Sequence, residues 1–256
     1  LSPKGLRVRV PPRAPKSNFL QFTMKLKNAV CVITGAGRGL GSYLAKELKK
    51  RGAKLVLGDL DSADLRRVAL ELDASAFNCD VTEERRVEAL AEEAIKRHGR
   101  IDIWINNAGI WMPYGKVEEM DFKRARALME VNYFGLAHGT IAALKRMRPA
   151  GNGSIINIIS VRGLAGKAMA AGYSASKFAA EGFTQAVRGE LAGAGLRIIG
   201  IYPHRIKTEL FGDNKHDDYE SSMEPADVAR IIIDNLATDN PAEHVEIWNH
   251  DDVRKV

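Results

Sequence analysis

The 256 residues are 45% hydrophobic and 27% charged, a balance that builds one sizeable core and excludes a disordered, fibrous or disulfide-stapled chain. The formal charge of +6 is not a polyanion footprint, because residues 1–23 hold Lys4, Arg7, Arg9, Arg13 and Lys16 with no acid and leave +1 on everything after them. No apolar run approaches a membrane-spanning length and no secretory apolar block opens the chain, so nucleic acid and membrane are both excluded as expected partners.

Residues 1–23 carry Pro3, Pro11, Pro12 and Pro15 and show neither a strand nor a helix period. They are predicted to be disordered, as an extension ahead of a start at Met24 or as a basic targeting leader. Residues 24–256 read as a single domain. Short β-branched runs at 29–34, 53–58, 74–78, 101–106, 154–160, 196–202 and 244–248 alternate with amphipathic stretches at 39–51, 61–72, 82–98, 118–147, 172–193 and 225–237. This order predicts an α/β fold, a doubly wound parallel sheet of about seven strands with helices on both faces. The strands are apolar throughout rather than alternating, as burial on both faces requires. Cys31 and Cys79 fall on strands or their ends, without Cys-x-x-Cys spacing, and are expected to be reduced, buried residues of a cytoplasmic protein. The polar connection 209–223 is long enough to be a lid over the carboxyl ends of the strands. Neither His216-Asp217-Asp218 nor His250-Asp251-Asp252 sets three ligands on one face, so no metal site is predicted.

The first predicted strand runs into Thr34-Gly35-Ala36-Gly37-Arg38-Gly39-Leu40-Gly41 and then a helix. Glycines there permit a tight turn and a close backbone approach to a pyrophosphate, whose charge the helix N-terminus favours. That is the dinucleotide-binding start of a Rossmann-type sheet. The second strand ends at Asp59, followed by Leu60, 24 residues after Gly35. A carboxylate there accepts from both adenosine ribose hydroxyls and repels a 2′-phosphate, which argues for NAD. Arg38, near the same ribose, keeps NADP as the alternative.

From these motifs onward the chain resembles the compact branch of the short-chain dehydrogenase/reductase family, between about Asn28 and Asn249. The resemblance also rests on Asp80-Val81, Asn106-Asn107-Ala108-Gly109, Val131-Asn132-Tyr133-Phe134-Gly135, Ser160, and Tyr173-Ser174-Ala175-Ser176-Lys177. It implies an oxidoreductase in which Asp80 and Val81 meet the adenine and Asn107, Ala108 and Gly109 line the cofactor. Pro203, Ile206 and Thr208 would lie against the nicotinamide. The residues support the same chemistry. A tyrosine of ordinary pKa near ~10 is a poor base at neutral pH, and Lys177, one helical turn beyond Tyr173, places an ammonium on the same face. Ser160, thirteen residues before Tyr173, can hold the substrate oxygen at the phenol. By resemblance, Asn132 keeps a water that completes a relay from Lys177.

The chain departs from the family at His204, where a glycine is usual after Pro203. His204 either changes the loop or projects an imidazole toward substrate. The substrate wall is expected from Ile110, Trp111, Met112 and Tyr114, from Val161, Arg162 and Leu164, and from 209–223. Trp111, Met112 and Leu164 favour an apolar body; Arg162 and His204 favour an anion. The leading expectation is an NAD-dependent alcohol dehydrogenase or carbonyl reductase acting on a small-molecule alcohol or ketone. The alternatives are an NADP-dependent reductase and a non-catalytic dinucleotide sensor. Relatives pair through long helices, so the resemblance also implies a homodimer or homotetramer through 118–147 and 172–193.

Overall fold

Each central strand is apolar at consecutive positions because its two faces supply two separate cores. The computed structural model describes residues 6–11, 25–60, 62–212 and 219–249. Its strands are β1 (Leu6–Arg9), β2 (Val30–Thr34), β3 (Lys54–Asp59), β4 (Ser75–Asn78), β5 (Ile103–Asn106), β6 (Gly153–Ile158), β7 (Leu196–Pro203) and β8 (His244–Asn249). The helices are α1 (Gly39–Lys50), α2 (Ala63–Glu71), α3 (Glu84–His98), α4 (Phe122–Met129), α5 (Leu136–Met147), α6 (Ala171–Glu190) and α7 (Pro225–Leu236). Cys31, Ile33, Leu55, Leu57, Ile103 and Ile105 point to one core with Leu44 and Leu48 of α1 and Val228 and Ile232 of α7. The intervening Val32, Val56, Trp104 and Ile155 point to the other, with Val87 and Leu90 of α3 and Ala142 and Ala143 of α5. Burial of each large side chain contributes roughly 1.5–3 kcal/mol. Both cysteines are free and buried.

The sheet runs β1-β8-β7-β6-β5-β2-β3-β4, parallel from β8 to β4. After β4 the chain crosses back and lays β5 on the other side of β2. The carboxyl ends of β2 and β5 therefore face a topological switch point, where an open α/β sheet offers a crevice.

Two elements differ from the sequence reading. Leu6–Arg9, expected to be disordered, pairs antiparallel with β8 as an eighth strand, and the remainder of 1–23 outside residues 6–11 lies outside the described residues. Leu6-Arg7-Val8-Arg9 does alternate, and the free edge of β8 supplies the partner that makes four residues sufficient. The helix expected over 118–147 is divided: a 3-10 turn at Val117–Glu119 precedes α4, and a π-helical segment, Glu130–Gly135, joins α4 to α5. The wider π turn re-phases the helix and turns Asn132 inward.

Candidate active site

The glycine loop is built by contact with the loop after β5. Gly35 has φ +65°, and a Cβ there would lie 2.7 Å from Ala108 Cα; one at Gly41 would lie 2.0 Å from the Gly35 carbonyl oxygen. Side chains cannot occupy either position. Asn107 Nδ2 donates to the Thr34 and Gly35 carbonyls at 3.0 and 2.8 Å, and Thr34 Oγ1 accepts from the Asn107 and Ala108 amides at 3.1 and 3.2 Å. Asp59 braces the loop from the other side: its Oδ2 accepts from the Gly37 amide at 2.7 Å and its Oδ1 from Leu60 at 2.8 Å. Asp80 Oδ1 accepts from the Thr82 amide and hydroxyl, which fixes the turn that carries Val81.

These loops open on one cleft of about 300 Å³. Its floor at one end is Gly35, Arg38, Gly39, Leu40, Asp59, Leu60, Asp80 and Val81. Asn107, Ala108 and Gly109 form the middle, Ser160, Tyr173, Lys177, Pro203 and Ile206 the other end, and Thr208 returns to lie against Gly39. Gly37, Gly41 and Asn132 stand behind this lining rather than in it. Gly37 meets Asp59, Gly41 packs on Gly35, and Asn132 holds the wall.

Ser160, at the end of β6, accepts from the Arg162 amide at 3.2 Å and donates to the Pro203 carbonyl at 3.4 Å, and it lines the cleft with Tyr173. Tyr173 and Lys177 lie one turn apart near the start of α6, with Lys177 Nζ 5.8 Å from the phenol centroid and 3.4 Å from the Ile158 carbonyl oxygen. Lys177 is 6% exposed, and burial lowers its pKa from 10.5 to about 8. Burial pushes the Tyr173 phenol up to about 12, while the Ser160 hydroxyl and the Arg162 charge act in the opposite direction. With Lys177 lowered to about 8, its amine is already neutral where a phenol raised to about 12 ionises, so in the protein alone it does not offset the burial of Tyr173.

Asn132 is 1% exposed. Its Oδ1 accepts from the Ile110 amide at 2.9 Å, and its Nδ2 donates to the Ile110 carbonyl at 3.0 Å and Ser176 Oγ at 3.1 Å. Ser176 in turn donates to the Tyr173 carbonyl at 2.8 Å. Asn132 thus ties the π segment to the loop after β5 and to the turn that carries Tyr173. It does not touch Lys177 directly, but both side chains face Gly109, where a Cβ would sit 3.3 Å from Asn132 Oδ1 and 3.8 Å from Lys177 Nζ.

The substrate end has an aromatic side and a cationic side. Trp111 is buried and meets Tyr114 and Phe211 edge-on, with centroids 5.5 and 5.1 Å apart. Opposite, Arg162 Nη2 lies 3.3 Å from His204 Nε2. His204 is not among the described residues with positive φ, and its amide donates to the Ile247 carbonyl at 2.9 Å. The loop therefore accepts a side chain where the family has glycine, and the imidazole stacks on Trp248 at 5.1 Å. Of the expected lid, Glu209–Phe211 and Tyr219–Ser221 form 3-10 turns; residues 213–218 lie outside the described residues, as do 250–252. Sequence reasoning missed Ser176, Trp248 and a buried polar chain, Trp104–Asn106–Asn157–Thr184. The serine's signal was present in the Tyr-Ser-Ala-Ser-Lys string; the other partners are distant in sequence.

The short chain dehydrogenase family model matches residues 29–219, which include every loop of the cleft up to Tyr219. The chain belongs to the short-chain dehydrogenase family. This short-chain dehydrogenase is 34% identical over 221 residues to a 3-alpha-(or 20-beta)-hydroxysteroid dehydrogenase of Mycobacterium tuberculosis, covering 84% of each chain. Among solved structures it resembles levodione reductase with a TM-score of 0.80 at 29% identity, over 90% of this chain and 99% of that one. It also resembles the 3-ketoacyl-(acyl-carrier-protein) reductase of Brucella melitensis, solved with NADH, with a TM-score of 0.77 at 30% identity over 83% and 92%. These matches make it an oxidoreductase with a Rossmann-type nucleotide-binding sheet. Among the described residues no helix is long and apolar enough to cross a membrane.

Proposed function

We propose that this short-chain dehydrogenase is an NAD-dependent oxidoreductase acting on an alcohol or carbonyl compound, with Tyr173 as the general acid/base. The observation that carries the reading is that Ser160, Tyr173 and Lys177 share one continuous cleft with the glycine loop and Asp59. The residues fit a dinucleotide. Among the described residues, the N-terminus of α1 has no side-chain cap and no acid in its first turn, so its amides are available to a pyrophosphate. The close approach at Gly35 keeps that surface flat, and Asp59, held by two backbone amides, presents its remaining lone pairs to a ribose diol. Arg38 is exposed beside it, and tighter binding of NADP would transfer the assignment to that cofactor.

Bound nicotinamide supplies the hydride for reduction and accepts it in oxidation. Ser160 orients the substrate oxygen at the phenol. In reduction Tyr173 donates its proton to that oxygen as the carbinol forms; in oxidation the phenolate removes the hydroxyl proton. The positive charge of oxidised nicotinamide opposes the burial that raises Tyr173, and Lys177 supplies the proton route past Gly109 and Asn132. Trp111, Arg162 and His204 contact the substrate body. Phe134, Ile141 and Phe178 are exposed on the π segment, α5 and α6, which supports assembly as a homo-oligomer through these elements.

A panel of alcohols and ketones, followed by nicotinamide absorbance with NAD and NADP, tests the reading. The expected result is NAD-linked turnover lost by 10²–10⁴-fold in Tyr173→Phe. Cofactor binding without turnover on any panel member, with nothing changed by Tyr173→Phe, would make the chain a dinucleotide sensor instead.

A further inference from the structure

The cleft contains a cation that the acid/base chemistry of Ser160, Tyr173 and Lys177 leaves unexplained. Arg162 is two residues beyond Ser160, and its backbone amide already donates to Ser160 Oγ at 3.2 Å. Arg162 lines the cleft with Tyr173, and its guanidinium donates toward His204 Nε2 at 3.3 Å. That contact requires a neutral imidazole with Nε2 as acceptor.

His204 is itself fixed from β8. Its ring stacks on Trp248 at 5.1 Å with an interplanar angle of 20°, and its amide extends the β7–β8 pairing to Ile247. Trp248 Nε1 donates to Glu246 Oε2 at 3.1 Å, and His244 Nε2 lies 3.2 Å from Glu246 Oε1. Glu246 is 8% exposed, a carboxylate buried where its role is to hold neighbours. A buried carboxylate, an indole and an imidazole thus lead from β8 to one guanidinium at the reacting end of the cleft.

We propose that Arg162, held by His204, is an electrostatic group of the reaction that stabilises the negative oxygen formed as the proton moves between Tyr173 and substrate. The inference rests on the assignment of Tyr173 as acid/base. His204, Trp248 and Glu246 are positioning residues that act through Arg162. The groups facing Tyr173 are Ser160, Tyr114, Arg162 and Lys177; the Arg162 charge favours the phenolate, an ionised Tyr114 opposes it, and Lys177, lowered to about 8, is neutral where the phenol ionises without cofactor. His204 faces Arg162 and Trp248, with His244 and Glu246 behind the indole.

Alcohol oxidation uses the phenolate, so its rate rises with pH through the Tyr173 pKa, and loss of a nearby cation moves that limb to higher pH. The test follows the ring-carbon signal of ¹³C-tyrosine, assigned with Tyr173→Phe, against pH with and without oxidised NAD, beside the pH–rate profile for an alcohol. Arg162→Gln is expected to move the Tyr173 transition and the rate limb up by roughly one pH unit, a tenfold fall in kcat below the limb, beside whatever rise in KM the lost substrate contact brings. Arg162→Lys should restore most of the shift by restoring charge. His204→Ala should move the limb in the same direction, and His204→Gln, whose amide oxygen can accept from Arg162, should recover it. Melting temperatures of all four variants exclude a loss of fold as the cause. An unmoved transition in Arg162→Gln, an equal shift in Arg162→Lys, or a change in KM alone would overturn the inference. Failure of the Tyr173 assignment reads differently: turnover survives in Tyr173→Phe, while the titration run without cofactor still reports whether Arg162 favours the phenolate.

Discussion

Replacement of Asp59 separates two roles that the structure gives one carboxylate. Both oxygens accept backbone amides, Gly37 at 2.7 Å and Leu60 at 2.8 Å, so the side chain braces the glycine loop as well as facing the ribose. Hydrogen bonds to a charged acceptor contribute about 1.5–3 kcal/mol each, and about 1.4 kcal/mol is tenfold in affinity. Asp59→Asn keeps an acceptor for Gly37 but loses the charge. NAD affinity should fall about tenfold by loss of one charge-assisted ribose contact, and NADP affinity should rise as the repulsion of its 2′-phosphate disappears. Asp59→Ala loses the brace too, so NAD should weaken by about 100-fold and NADP should gain little. Titration of NADH and NADPH fluorescence against the three proteins gives the four ratios directly. Tighter NADPH than NADH in the unaltered chain would refute the cofactor argument, and indistinguishable Asn and Ala variants would refute the brace.

Three further outcomes follow from the same structure. Lys177, whose pKa falls from 10.5 in the unfolded chain to about 8 when buried, binds its proton less readily in the folded state. Its contribution to stability is therefore fully present above 10.5 and lost as pH falls through about 8, a difference of roughly 3 kcal/mol. Lys177→Met should flatten that part of the pH dependence of the melting temperature; a variant curve parallel to the original would contradict it. Gly139→Ala places a Cβ 2.0 Å from Asn106 Oδ1 and 2.7 Å from Trp104 Nε1. Overpacking of this kind costs about 1–3 kcal/mol and should lower the melting temperature by several degrees, whereas Gly182→Ala, with nothing within 4 Å, should not. Asn132→Ala removes the ties to Ile110 and Ser176 and should lower kcat more than cofactor affinity, measured by steady-state kinetics beside NADH titration.

What could be read in the sequence was local. The glycine string, Asp59 and the Tyr173/Lys177 spacing are each fixed by one turn or one strand–helix junction, so their residues meet in the fold as they do along the chain. The apolar strands were legible for a related reason, since burial on two faces writes itself into consecutive positions. Leu6–Arg9 was not, because a four-residue alternation has no weight until β8, at the far end of the chain, supplies a partner. The π segment was hidden inside a continuous helical pattern. His204 showed the opposite limit: its identity raised the right question, but the answer lay in Trp248 and Arg162, each more than forty residues away.

The added strand has a consequence for the behaviour of the sheet as a surface. β1 occupies the hydrogen-bonding margin of β8 along the register Leu6↔Asn249 to Arg9↔Glu246. A chain cut back to Met24 would leave that margin's amides and carbonyls open to water, and an open strand margin is a template for another chain. Such a trimmed protein should show concentration-dependent light scattering that the longer chain lacks. In that sense the short proline-flanked segment is a selvedge, finishing the cloth at the side where it would otherwise unravel onto its neighbours.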